Sequence, residues 1–123
     1  MANFNKMSAL ADWSQRAATY PAFYMAENYW QQDSANLQSS NYKNNWYIPA
    51  INEMSTLGEN KNTVKAAFDK IGTTYAIPFA SSTYWTSSES GANYVWIYNF
   101  STGRAATKQK SGYESVRTIR KFN

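Results

Sequence analysis

Between Asn93 and Phe100 the chain reads NYVWIYNF, a run of aromatic and β-branched residues with the period-two pattern of a pleated strand. Tyr94, Trp96, Tyr98 and Phe100 share one parity, and Val95, Ile97 and Asn99 share the other. Both faces of such a strand need cover, so parity alone leaves open which one is inside. A second apolar run, Ser115–Phe122, follows after a polar span rich in Gly, Ser, Ala and Lys. Neither run needs that span for its own packing, and segments free of packing duty can vary or bind.

The elements before this stretch have the helical period. Ser8 is a cap for a helix over Ala9–Ala18, with Leu10, Trp13 and Ala17 as its buried stripe. Pro21 suits a first turn and predicts a short helix over Ala22–Tyr29. Gln31–Asn45 is a loop by composition. Trp46-Tyr47-Ile48-Pro49 is a brief extended entry into a helix over Ala50–Leu57, with Gly58 as its αL terminator. Asn62 or Thr63 then caps a helix in which Val64, Ala67, Phe68 and Ile71 form the inner face, ended by Gly72. Thr73–Ala80 is a link, Tyr84–Ser87 starts an extended element and Glu89–Ala92 is a turn. Ser101–Gly103 and Lys110–Gly112 make turns around a strand over Arg104–Lys108, and Tyr113–Phe122 returns as a last strand. Helices first and an antiparallel meander second give an α+β class.

Composition bounds the chemistry. A chain of 123 residues with 43% hydrophobic and 17% aromatic content is expected to fold as a single domain, residues 1–123. Cysteine and histidine are both absent. That excludes a disulfide framework, thiolate chemistry, the usual imidazole ligand or base, and any nucleophile–histidine–acid triad. No apolar stretch is long enough to cross a bilayer and the start lacks a leader pattern, so the chain as given is expected to be soluble. A leader or anchoring domain outside this sequence is compatible with that expectation.

The formal charge of +4 is unevenly placed, since residues 101–123 carry Arg104, Lys108, Lys110, Arg117, Arg120 and Lys121 against Glu114. A basic end suits a polyanionic partner, or is simply a lysine-decorated edge and tail. Phosphate loops, zinc spacings, calcium loops and nucleophile elbows are all missing. Glu53 and Glu89 are a candidate carboxylate pair, although nothing in their spacing requires them to meet. Tyr113 among Arg104, Lys108 and Lys110 can stack on bases or sugars or hold sulfates; nucleic acid is not the expected partner.

Four ordered motifs resemble one known family. Trp46-Tyr47-Ile48-Pro49-Ala50-Ile51-Asn52-Glu53-Met54 is similar to the W-Y-L-P-x-x-x-E-L segment of the bacterial DUF1566 family, also called the Lcl C-terminal domain family. Tyr84-Trp85-Thr86-Ser87-Ser88-Glu89 resembles its Y-W-S-S-T/S-E segment. Asn99–Gly103 resembles its N-F-x-x-G hairpin, and Val116–Phe122 its closing V-R-x-V-R-x-F. The resemblance runs over nearly the whole chain, since Asn3-Phe4-Asn5-Lys6 also resembles the family's opening F-N/D-G-K segment; Ile48, Thr86 and Lys6, where glycine is common, are mild departures. It implies a C-type-lectin-like fold, of the kind also used by formylglycine-generating enzymes and by variable proteins of diversity-generating retroelements.

On that resemblance, Trp46, Trp85 and Phe100 are expected as core aromatics. Glu53 is expected to accept hydrogen bonds from the Tyr84–Ser88 turn, and Arg117 or Arg120 to answer Glu89 or Glu53. The expected function is non-catalytic recognition of a protein or glycan by a surface-displayed or phage-borne domain, part of a longer protein. Its candidate face comprises Glu89, Ser90, Asn93, Tyr94, Trp96, Tyr98, Arg104, Thr107, Gln109, Ser111 and Tyr113. Tyr and Trp supply rigid contact area there, and Ser and Asn adaptable hydrogen bonds. The alternatives are a sulfated-glycan adhesin using Arg104, Lys108, Lys110 and Lys121, and a structural cap of a pilus, fibre or tail protein. Cysteine-dependent formylglycine chemistry does not carry over. No cofactor and no metal is expected, since no acid cluster supports calcium.

Overall fold

The aromatic run does form a strand, and it sits in the middle of a sheet. The computed structural model describes residues 17–31, 42–72, 79 and 82–121. Its order of elements is α1 (Pro21–Glu27), a 3-10 turn (Tyr29–Gln31), β1 (Trp46–Tyr47), α2 (Ile51–Glu59), α3 (Lys61–Ile71), β2 (Thr83–Glu89), β3 (Tyr94–Asn99), β4 (Arg104–Gln109) and β5 (Ile119–Arg120). Helices precede most of the sheet, and both sheets are antiparallel, so the class is α+β. The chain divides into two compact units, one of Met1–Pro49 with Val116–Asn123 and the other of Ala50–Ser115.

In the first unit, Pro21 occupies the start of α1, where its missing N–H removes a donor the helix would leave unpaired anyway. Asn28 stops the helix, its side-chain amide donating to the Tyr24 carbonyl at 2.9 Å. The helix is therefore shorter than Ala22–Tyr29, and Tyr29 moves into the 3-10 turn. There its ring lies 4.7 Å from that of Trp46. β1 pairs with β5, Trp46 opposite Arg120 and Tyr47 opposite Ile119. Arg120 also donates to the Asn44 carbonyl at 3.0 Å and lies 5.1 Å from the Tyr42 ring centroid, a cation–π contact. Of the expected helix over Ala9–Ala18, residues up to 16 lie outside those described, as do most of the Gln31–Asn45 loop and of the Thr73–Ala80 link.

In the second unit, α2 packs on β2, β3 and β4, and the sheet order is β2-β3-β4. Met54, Tyr84, Tyr98 and Phe100 are buried together, with Ile51, Leu57 and Phe79 against them. Phe100 is the hub. Its ring stacks on Phe79 at 4.8 Å and takes Tyr84 and Tyr98 edge-on at 5.3 and 5.2 Å. Edge-on and offset contacts of this kind add about 0.5–1.5 kcal/mol each beyond area burial.

Two helix boundaries differ from the sequence expectation for a physical reason. Gly58 does not terminate α2; it lies inside the helix, buried. A side chain there would collide with the Tyr98 ring, so glycine is required by close approach rather than by backbone angle. Asn60 instead separates α2 from α3, its side-chain amide returning to the Thr56 carbonyl at 2.9 Å while its own carbonyl accepts from Val64 N–H. Gly72 does end α3, at φ +86°. Of the four apolar positions expected to face inward on α3, Val64 and Phe68 are half-buried, whereas Ala67 and Ile71 are exposed.

The start of α2 is held from a distance. Ala50 precedes the helix and has no side-chain acceptor, so the first N–H groups need outside partners. Glu53 Oε2 accepts from Ala50 N–H at 2.8 Å, and Ser88 Oγ accepts from Ile51 N–H at 2.9 Å. Ser88 is available because β2 bulges: Thr86, Ser87 and Ser88 face Trp96 alone, between the Trp85–Ile97 and Glu89–Val95 pairs. Ser88 thus ties the Tyr84–Ser88 segment to the start of α2. Glu53 also accepts from within its own first turn, at Ala50 N–H.

The last strand is also not as expected. Of the strand expected over Tyr113–Phe122, Phe122 lies outside the described residues; among the rest, Ser115 makes a single parallel bridge to Tyr84, and pairing resumes at β5 with β1. The boundary between the two units, after Ser115, falls between these two places.

Replacing Ser88 with Ala is expected to lower stability by about 0.5–2 kcal/mol, the usual loss on removing a helix cap. Gly58→Ala is expected to be destabilising by about 1–3 kcal/mol through overpacking, despite alanine's better helix propensity. Urea unfolding of both variants checks these values, and a Gly58→Ala protein as stable as the parent would contradict the close-approach account.

Candidate functional site at the loop end of the sheet

The antiparallel order of β2, β3 and β4 brings two connections to one end of the sheet: residues 90–93, between β2 and β3, and residues 110–112, following β4. Tyr94 and Gln109 face each other there, and Gln109 Nε2 donates to Tyr94 Oη at 3.4 Å. Alternation puts Trp96 with Thr107, and then Tyr98 with Ala105, on the same face further along. α2 covers the far part of that face at Tyr98. The near part, toward the loops, carries Tyr94 in solvent.

This arrangement sorts the candidate residues. Tyr98 is 3% exposed in the core and leaves the binding face. Its ring is occupied with Phe100 and the Gly58 backbone, so it is a scaffold residue. Tyr94 is 44% exposed and Tyr113 92%. Ser90, Asn93, Thr107, Gln109 and Ser111 are exposed, and Trp96 is half-buried. Arg104 is exposed but stands at the opposite end of β4, opposite Asn99. At about 3.4 Å per residue it lies roughly 17 Å along the strand from Gln109, too far to share a small ligand with the loops.

Two of the expected cation sites turn out to be internal struts. Lys110 Nζ donates to Glu89 Oε1 at 2.5 Å and to the Ala92 carbonyl at 3.0 Å, while its backbone N–H donates to Asn93 O at 2.9 Å. One residue thereby ties the end of β2, the 90–93 loop and the 110–112 turn together. Lys108 Nζ donates to Glu114 Oε1 at 2.5 Å and to the Tyr113 carbonyl at 3.0 Å, fixing the stretch that carries the exposed Tyr113 ring. Ser90 N–H donates to Tyr94 O and Gly112 N–H to Gln109 O, completing the frame.

Glu114 was missed as part of this end, and no local template points to it. A lysine and a glutamate six positions apart match neither helix nor strand spacing, and the Lys110–Glu89 pair spans 21 positions. Of the scaffold residues, Phe100 is buried as expected, whereas Trp46 and Trp85 are only half-buried. The Trp46 indole N–H donates to the Tyr42 carbonyl at 2.7 Å, which accounts for its staying near the surface. Arg117 is half-buried.

Chemically, the loop end offers aromatic faces, amides and hydroxyls on a backbone held by ion pairs. Among the described residues no group of three or more Asp or Glu side chains gathers as a metal site. None of the described helices is long and apolar enough to cross a membrane.

Replacing Lys110 with Met should change global stability by less than about 1 kcal/mol, as for most partly exposed ion pairs. The amides of residues 90–94 should nonetheless exchange faster with solvent, which NMR hydrogen exchange would resolve residue by residue. Unchanged exchange there would show that the loop holds its shape without the strut.

Comparison with known families agrees with the motif spacing. The family model described as the Lcl C-terminal domain matches residues 5–120. No curated protein matches the chain.

Proposed function

The chain belongs to the Lcl C-terminal domain family, and from that premise we propose that it is a non-catalytic ligand-recognition domain. The scaffold is C-type-lectin-like, a single domain of a longer protein at a cell or phage surface. Binding is carried by the loop end of the β2-β3-β4 sheet through Asn93, Tyr94, Trp96, Gln109, Ser111 and Tyr113. The observation behind this reading is the combination of exposed Tyr94 and Tyr113 with a backbone braced by Lys110 and Lys108. Rigid aromatics on a fixed frame lose little entropy when a ligand docks.

A finer form of the reading makes the chain a variable protein of a diversity-generating retroelement. The Asn, Ser, Tyr, Thr and Ala content between Ser88 and Tyr113 fits such a segment. A reverse transcriptase beside the gene, with a near-copy of its 3′ end, is the expected finding, and a locus lacking both removes this form while leaving recognition intact.

A sulfated-glycan adhesin has less support. Lys108 and Lys110 spend their ammonium groups on Glu114 and Glu89, and Arg104 stands at the far end of β4. A structural cap of a fibre or tail would use the same surface as a fixed contact. An enzymatic role is not proposed, because the chain has neither the cysteines of the formylglycine chemistry nor a histidine.

The test is a display screen of surface glycans and proteins followed by alanine replacement. Tyr94→Ala and Tyr113→Ala are expected to weaken the recovered complex about tenfold or more each, as for interface hot spots. Lys121→Ala should leave it unchanged. A ligand whose affinity survives alanine at Asn93, Tyr94 and Tyr113 together would sink the loop-end site.

A further inference from the structure

The sheet's two edges are treated differently. On the outer side of β2, Trp85 N–H donates to Ser115 O and Ser115 N–H to Thr83 O, so part of that edge is occupied. β4 ends the sheet on the other side. Lys110 N–H donates to Asn93 O, whereas Tyr94 O accepts from Ser90 N–H and Phe100 N–H donates to Ser82 O. In β3, odd-numbered positions therefore bond toward β4 and even-numbered ones toward β2. With Val95 opposite Lys108 and Ile97 opposite Ala106, residues 104, 106 and 108 bond inward. Ala105, Thr107 and Gln109 turn their backbone groups outward.

Gly112 N–H takes the Gln109 carbonyl. The N–H and C=O groups of Ala105 and Thr107 have no hydrogen-bond partner among the described residues, and Arg104, Ala105, Ala106 and Thr107 are all exposed. The usual guards of an open edge are weak here. β4 contains no proline, its register with β3 runs without a bulge, and its lysine, Lys108, is drawn to Glu114. Small side chains at Ala105 and Ala106 leave room for another backbone to approach.

We propose that the outer edge of β4 takes an extended peptide as an added strand, and that the peptide carries an acidic side chain that pairs with Arg104. Arg104 pairs with no carboxylate among the described residues, so it is the one charge on this edge still available to select an occupant. A second copy of the chain fits less well. Laid antiparallel over Ala106, it sets Arg104 against the Lys108 position of the copy, and like charges directly opposite oppose pairing. Backbone bonds at Ala105 and Thr107 supply affinity, and the charge at Arg104 supplies selectivity. This interface is separate from the loop end: neither Tyr94 nor Tyr113 takes part.

The probe is the capped peptide acetyl-Thr-Val-Glu-Val-Thr-Val-amide, added in millimolar excess to the full chain and followed by amide hydrogen exchange. Protection of the Ala105 and Thr107 amides by about tenfold, with Ala106 unchanged, is the expected result. A version with Lys in place of Glu should bind about threefold to tenfold more weakly, and Arg104→Glu should reverse that order. Thr107→Pro should abolish protection while keeping the fold, because that N–H makes no bond within the sheet. Absence of protection with either peptide, or equal binding of both by the parent and by Arg104→Glu, overturns the proposal. Protection without peptide that grows with protein concentration, together with a doubled sedimentation mass, overturns it in favour of a second copy.

Discussion

A helix that begins after a residue with no capping side chain must borrow its first hydrogen bonds, and how α2 borrows them governs the second unit. Ile51 N–H goes to Ser88 on β2, and Ala50 N–H to Glu53 in its own first turn. The first bond fixes the helix against the bulged strand. Once it is fixed there, Met54 and Leu57 fall onto Tyr84, Tyr98 and Phe100, and Gly58 meets the Tyr98 ring. Each contact restricts the next. The two most motif-like segments of the chain, Trp46–Met54 and Tyr84–Glu89, supply the two ends of this tie, which gives their spacing a structural meaning independent of any ligand.

Much of this was readable from residue patterns, and the failures share a cause. The strands β3 and β4, the turn at Ser101–Gly103 and the end of α3 at Gly72 all follow from local signals: alternation, turn chemistry and a left-handed glycine. Gly58 misled because a glycine after an apolar stripe looks the same whether it stops a helix or admits a neighbouring ring. The final strand misled because Val116–Phe122 has the composition of a strand, yet among the described residues two of it, Ile119 and Arg120, enter a ladder. Pairing is a property of what lies alongside, and one sequence does not contain it.

The candidate site was legible in composition and not in geometry. Its tyrosines and small polar residues stood out, and Tyr94 and Tyr113 are exposed. The same reading placed Tyr98 with them, because two tyrosines and a tryptophan on one strand parity look equivalent until a helix covers half of that face. It also counted lysines as available charge. Lys108 and Lys110 have carboxylate partners brought to them by chain reversal, so the net charge of +4 overstates the cationic surface at the loop end.

The bracing by Lys110 has a consequence for how this end of the molecule can change. Apart from its pair with Glu89, its bonds run to the carbonyls of Ala92 and Asn93, atoms that every residue possesses. The frame of the 90–93 loop therefore does not depend on which side chains are mounted on it. Shape and chemical content are uncoupled there: the backbone acts as a socket, and the outward groups can be exchanged without rewriting the bonds that hold the socket in place.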